Sequence, residues 1–270
     1  MLEKLKDRVT PREPEGLDGF SALRVHQDGA VLSVRFDRPE TGNAVDSVML
    51  DELLTVLDSV HGRPGIRVVV LSGAGENFCL GGDRQEFGTE IASDPAGDGI
   101  HAIGAKARRV CEALATVDAV TIARVHGQAI GAGVALALFC DLRVGADDSR
   151  FRMPELALGH PPAWGGALSR LLLEVGAARI RELVLTGRSF YAAEAERLAV
   201  LHRVVPETDL DAAVAEWVKP IVRRSPAAQR TTKAMLNAYA ASSRLADITL
   251  LDSELLAASV ARPPRSARGR

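Results

Sequence analysis

The sequence has almost no excess of either charge: 33 Lys+Arg stand against 35 Asp+Glu, a formal net charge of −2. A chain so balanced has no electrostatic footprint for a phosphate backbone. Aromatic residues, at 4%, are too few to build a platform on which bases stack. Nucleic acid is therefore excluded as a partner. No run of about 18 apolar residues occurs, which excludes a membrane-spanning helix and a membrane partner. Only three cysteines are present, Cys79, Cys111 and Cys140. Far apart and odd in number, they make no CxxC pair and read as reduced thiols in the core or loops. The six histidines show no HxxxH spacing, so no metal site is expected, and each reads as a surface or loop residue. The charged opening segment MLEKLKDRVTPREPEG does not resemble a signal peptide. The expectation is a cytoplasmic protein.

What the chain does have is ordinary globular material: 270 residues, 47% hydrophobic and 25% charged. That length buries roughly three quarters of the unfolded surface without a covalent staple. Residues 1–20 read as a flexible extension. Leu23 to Phe36 gives two alternating runs across Asp28-Gly29, a hairpin signal. Asp46 opens a helix with Leu50, Leu53, Leu54, Leu57 and Val60 on one face. Arg67 to Leu71 is a strand of the fully buried kind. Residues 81–101 read as loop, and 102–115 as helix with Ile103, Ala107, Val110, Cys111 and Leu114 inward. A second buried strand follows at 119–125, then a glycine loop from Gly127 to Gly133 and an apolar helix to Phe139. Strand, glycine loop and helix thus recur roughly 50 residues apart, which predicts stacked ββα turns. Residues 21–190 form the core of this reading. From Gly165 onward the chain reads as almost all helix, with segments at 165–174, 176–186, 192–199, 209–224, 226–241 and 245–260, and 191–260 as a helical region. The stretch 261–270 is a basic tail.

Few chemical motifs survive inspection. Gly131-Ala-Gly133 begins a dinucleotide fingerprint, but Leu136 stands where the next glycine is needed. Neither a GK[ST] phosphate loop nor a GxSxG elbow occurs. Two glycine-rich strand-to-helix loops remain, Asn77-Phe-Cys-Leu-Gly-Gly-Asp83 and His126-Gly-Gln-Ala-Ile-Gly-Ala-Gly133. Helix N-termini offer free N–H groups at the positive end of the dipole. Two such loops converging would bind a developing oxyanion between two N–H donors. The alternative is that the glycines only permit tight turns.

Together the two loops closely resemble the signatures of the crotonase (enoyl-CoA hydratase/isomerase) superfamily. Phe36-Asp-Arg-Pro-Glu-Thr-Gly-Asn-Ala-Val45, Val68 through Asp83, Ala129 through Leu142, Phe151-Arg-Met-Pro-Glu-Leu-Ala-Leu-Gly159, Gly165-Gly166 and Leu185-Thr-Gly-Arg188 follow the family order over about residues 22–240. The resemblance implies an α/β fold, a spiral of ββα turns with a helical C-terminal trimerisation region. It also implies a homotrimer or dimer of trimers, and an acyl thioester of CoA or an acyl-carrier protein as substrate. No separate cofactor is implied, CoA or phosphopantetheine being part of the substrate.

Carried over by position, the backbone N–H groups of Gly82 and Ala132 become the oxyanion donors. Ala132 replaces a glycine common there, and only its amide is used. Thr41, Leu80 and Arg84 line the path of the CoA nucleotide, with Arg84 as a phosphate partner, while Glu40 stands where many relatives carry a basic residue. Family hydratases place one Glu two residues after the second glycine loop and another in the Pro-Glu segment. Here those positions are Ala135 and Glu155. Asp83 and Glu86 are nearby candidates for a replacement carboxylate, Asp83 also being placed to brace its loop. Trp164 is expected to close the acyl pocket or simply to pack. A lone Glu155 suits proton transfer between carbons, or loss of a 3-hydroxyl, better than addition of water. The resemblance thus implies a lyase or isomerase, with a specialised (polyketide-like) dehydratase and a non-catalytic thioester-binding protein as the alternatives.

Overall fold

The computed structural model describes residues 19–94, 96–242 and 251–260. The expected basic tail, most of the N-terminal extension and residues 245–250 of the last expected helix lie outside them. Two runs that alternate buried and exposed residues, β1 (Leu23–Asp28) and β2 (Val31–Phe36), form the hairpin across Asp28-Gly29. Parallel strands then extend the sheet: β2 pairs with β3 (Val68–Gly73), β3 with β4 (Val120–Val125), β4 with β6 (Leu142–Ala146) and β6 with β9 (Arg203–Val205). The two repeats expected from the sequence lie side by side, with Val68 opposite Val120.

Helix α1 (Ser47–Val60) starts where the Asp46 carboxylate accepts the Met49 N–H at 2.8 Å. Its buried stripe contains all five leucines and valines expected, and adds Met49 and Val56. Such a cap contributes about 1 kcal/mol, whereas each buried Leu contributes roughly 1.5–3 kcal/mol. Packing therefore holds this helix more than its cap does. Helix α1 and α3 (Asp98–Thr116) cover one face of the sheet, and α8 (Leu210–Val222) packs on Val68, Val70, Ile122 and Val144 of the other. This explains why β3 and β4 read as continuous apolar runs.

Two expectations need correction. Residues 84–93 are helix α2, not loop, and α3 begins at Asp98. Short strands were also unforeseen: β5 (Gln128–Ile130) inside the expected glycine loop, β7 (Arg150–Arg152), and β8 (Phe190–Tyr191) in the supposed all-helical region, the three forming a second small sheet. Strand β9 also interrupts that region. Segments of two or three residues are too short to express a period of two. His126 lies in the second glycine loop as expected, but buried, 5% exposed, with Nε2 2.9 Å from Gly75 O.

The remaining helices are α4 (Ala132–Leu138), α5 (Ala167–Glu174), α6 (Ala177–Thr186), α7 (Ala192–Arg197), α9 (Pro226–Ser242) and α10 (Asp252–Val260). Helix α9 is anchored by Lys233, which lies 2.7 Å from Asp141 and donates to Ala119 O. Helix α10 returns to pack on α3. No helix of the described residues is long and apolar enough to cross a membrane.

Candidate active site

Both glycine loops leave the carboxyl ends of neighbouring parallel strands, β3 and β4, and the backbone ties them to each other. Phe78 N–H donates to His126 O and Cys79 N–H to Gln128 O, while Ile130 N–H returns to Cys79 O at 2.9 Å. On the outer side Val45 N–H donates to Gly81 O, and Asp83 N–H to Val45 O. These bonds leave the Gly82 N–H out of the ladder. Gly131 N–H is used by Arg152 O, and the next amide, Ala132, opens α4. Neither Gly82 N–H nor Ala132 N–H has a protein acceptor among the described residues. A methyl group on Gly81 would lie 3.9 Å from Ala132 N, so the loops run close together. Gly133 has no room for a side chain, since a methyl there would meet Cys79 O at 2.3 Å.

A cavity of about 300 Å³ opens over this junction. Gly81, Gly82, Gly131 and Ala132 line it below, and Leu80, Phe87, Ile91, Ile130, Leu158 and Trp164 form apolar walls. Leu256, from α10 of the same chain, covers it. Its titratable side chains are Glu155, His160 and Arg84.

Glu155 is the first residue of a 3-10 turn, Glu155–Leu158, that follows β7 and Pro154. Its Oε2 is buried without a hydrogen-bond partner. Burial raises its pKa above the ordinary carboxylate range, because the charged form loses water and its own backbone N–H offsets only part of that loss. Oε1 lies over the second loop, where a methyl on Gly131 would come within 3.2 Å of it. Gly131 itself has φ 50 and ψ −111, a combination that residues with a side chain adopt only under strain. Behind Glu155 is a second cavity of about 20 Å³, lined by Ala135, Val134, Met153, Trp164, Leu168 and Leu171. It has room for about one water, but Glu155 supplies its only carboxylate.

The other residues singled out from sequence take various positions. Arg84 is exposed on the cavity's lining and makes no ion pair among the described residues. Leu80 lies on the lining too, and the turn of Pro39–Thr41 packs against it: a methyl on Gly42 would overlap Leu80 Cδ1 at 2.3 Å. Thr41 is exposed outside the lining, with its hydroxyl donating to Arg38 O. Glu40 is exposed. Trp164 lines both cavities. Asp83 faces away from the cavity. It caps α2 by accepting from Gln85 and Glu86 N–H, and it pairs with Arg38 at 3.1 Å. Burial alone would raise its pKa, but those N–H groups and the Arg38 guanidinium hold it below the ordinary value. Glu86 accepts from Ser47 N–H at 3.0 Å and is likewise outside the cavity lining.

Sequence reading missed His160, Phe87, Ile91 and Leu256. Phe87 and Ile91 carried a signal, an i, i+4 apolar pair following a capping Asp. It also missed the bracing of the first turn: Asn43, fully buried at φ 57, accepts from Arg38 N–H and donates to Ala74 O and Asn77 O. All three cysteines are buried, and burial pushes the Cys79 and Cys140 thiols up to about 12. They are core groups, not nucleophiles. No cluster of metal-ligating side chains occurs among the described residues.

A parallel sheet with paired glycine loops at its carboxyl edge, a second small sheet and a helical C-terminal region defines the crotonase fold. Residues 26–264 match the enoyl-CoA hydratase/isomerase family, and the chain belongs to it. It is 32% identical to a short-chain-enoyl-CoA hydratase of Clostridium acetobutylicum over 216 residues, 79% of this chain and 80% of that protein. It is also 32% identical to the peroxisomal Delta(3,5)-Delta(2,4)-dienoyl-CoA isomerase of Arabidopsis thaliana over 230 residues, 82% of each. Among solved structures, the enoyl-CoA hydratase of Bacillus anthracis superposes with a TM-score of 0.76 at 28% identity, covering 88% of this chain and 90% of that one. The protein is a hydratase/isomerase-type enzyme.

Proposed function

We propose that the enzyme acts on an acyl thioester of CoA or of an acyl-carrier protein through an enolate, with Glu155 as its one catalytic carboxylate. The observation that carries this reading is the unpartnered Glu155 Oε2, buried above two unused backbone donors. A binding-only protein gains nothing from a carboxylate whose burial is costly. In the proposed step Glu155 removes a proton from the α or γ carbon, and the electron pair moves onto the thioester oxygen. That oxygen is held by the Gly82 and Ala132 N–H groups, whose directions the paired loops fix before charge develops. The carboxylic acid then returns the proton to another carbon, which completes an isomerisation. A raised pKa suits Glu155 to this work near neutral pH.

The capping and bracing roles of Asp83 and Glu86 support a site with one catalytic carboxylate, and Ala135 leaves the inner cavity without a second. Arg84 at the mouth is placed to meet a CoA phosphate, Leu80 and the Thr41 turn flank the same path, and Trp164 bounds the acyl end. A second reading, dehydration of a 3-hydroxyacyl thioester, uses the same base and enolate, with the hydroxyl leaving from the β carbon. The exposed Met235, Leu236 and Tyr239 on α9 support a trimer or dimer of trimers, in which such a face would be covered. A panel of enoyl-, 3-hydroxyacyl- and malonyl-type thioesters, with product masses compared between wild type and Glu155→Gln, tests the proposal. Turnover should vanish in the variant while thioester binding persists, and the wild type should hydrate crotonyl-CoA poorly. An active Glu155→Gln protein would remove Glu155 from the mechanism.

A further inference from the structure

One polar side chain of the cavity has no role in that chemistry. His160 follows the turn that begins at Glu155, its backbone N–H donating to Glu155 O at 3.0 Å, and it lines the same cavity. Its Nδ1 lies 3.2 Å from Ser259 Oγ, on α10. The Ser259 hydroxyl has a single proton, and Oγ is 2.6 Å from Leu256 O, an atom that can only accept. Ser259 therefore meets the imidazole as an acceptor, which requires the ring proton to sit on Nδ1. In the neutral ring Nε2 then carries a lone pair. Burial lowers the His160 pKa, which favours the neutral ring. Nε2 has no protein partner among the described residues.

The cavity thus holds two backbone donors at one end, a carboxyl group, and an imidazole acceptor oriented from the far end of the chain. We propose that His160 Nε2 accepts a hydrogen bond from a hydroxyl on the acyl chain, so that the site selects hydroxyacyl thioesters, with Ser259 as the positioning residue that fixes the tautomer. This rests on reading the cavity as the acyl-thioester site. A hydroxyl satisfies the acceptor, whereas an alkyl chain excludes water from it and leaves it unpaired. That asymmetry is how a site built for a substrate hydroxyl rejects the analogue lacking one. Helix α10 thereby does more than cover the cavity with Leu256, because its Ser259 sets which face of the ring is basic.

The test compares dissociation constants of 3-hydroxybutyryl-CoA and butyryl-CoA by calorimetry on the full chain. It is carried out in the Glu155→Gln background, where turnover does not consume the ligand. The hydroxylated thioester should bind roughly tenfold more tightly. Adding His160→Phe should bring the ratio close to one. Ser259→Ala, a change on α10 that leaves the cavity wall intact, should give an intermediate ratio, and Ser259→Thr should restore it. Circular dichroism establishes that each variant is folded. Equal binding of the two ligands without the His160 change, or an unchanged ratio with it, overturns the proposal. Failure of the underlying site reading looks different: neither thioester binds any form, or Glu155→Gln still turns over.

Discussion

Gly131 stands where a strained backbone meets the proposed catalytic carboxyl group, so Gly131→Ala separates their contributions. At φ 50 and ψ −111, an alanine is strained by about 1–3 kcal/mol. For a protein of this size each kcal/mol lowers Tm by roughly 2–4 °C. A fall of about 2–12 °C is expected from strain alone. The new methyl would also approach Glu155 Oε1 at 3.2 Å, tighter than a relaxed carbon–oxygen contact, so the carboxyl group must shift by tenths of an ångström. Misplacing a catalytic group by about 1 Å can cost a hundredfold in rate, and a smaller shift should cost on the order of tenfold. Gly62→Ala is the control: φ is also positive, at 72, but nothing lies within 4 Å of the added methyl and the site is remote. Thermal denaturation and kcat on the best thioester of the panel are measured for both variants. Both should lose stability, and only Gly131→Ala should lose rate. Equal kcat in wild type, Gly131→Ala and Gly62→Ala would refute the placement of Glu155 over the second loop.

Three further outcomes follow from the same geometry. Because burial raises the Glu155 pKa, the folded state holds its proton more tightly than the unfolded state, and stability falls as pH rises from 4.5 through the folded value. Glu155→Gln should therefore be more stable than wild type at and above neutral pH, with the gap closing below pH 4.5, as read by urea denaturation across a pH series. Gly82→Pro removes one of the proposed oxyanion donors and should lower turnover by roughly a hundredfold or more; full activity in a folded variant of normal oligomer size would remove the Gly82 amide from the proposed mechanism. Light scattering at micromolar concentration should give the mass of a trimer or a multiple of it, and a monomer would contradict the reading of α9 as an interface.

The sheet was legible in the sequence wherever strands were long enough to show a pattern. β1 to β4 and α1 follow from alternation, continuous apolar runs and an Asp cap. Helix α2 escaped because its polar faces carry only the Phe87 and Ile91 pair, and its start depends on Asp83, read there as loop chemistry. β6 escaped because its apolar run is broken by Arg143 and Gly145. The Arg143 guanidinium is buried on the carbonyls of Leu138, Cys140 and Val200 and on Glu174, while Gly145 makes room for Leu201. In the site, the two loops stood out through glycine spacing, whereas Glu155 was singled out only by the resemblance of its Pro-Glu segment to the crotonase family. His160 and Leu256 did not, because their meeting depends on α10 folding back across the chain, which no local pattern encodes.

The backbone ladder between the two glycine loops has a consequence for how such an enzyme can change its chemistry. The Gly82 and Ala132 amides belong to strands and turns bonded to one another, so neither can move without breaking ladder hydrogen bonds. The gap between them is a fixed gauge, set by peptide geometry and indifferent to most side-chain substitutions nearby. Variation is instead left to the segment from Glu155 to Trp164 and to the helix above it, whose residues approach the gauge as side chains and can be exchanged singly. A new acid, base or hydrogen-bond acceptor can be installed there while the part proposed to hold the negative oxygen stays the same.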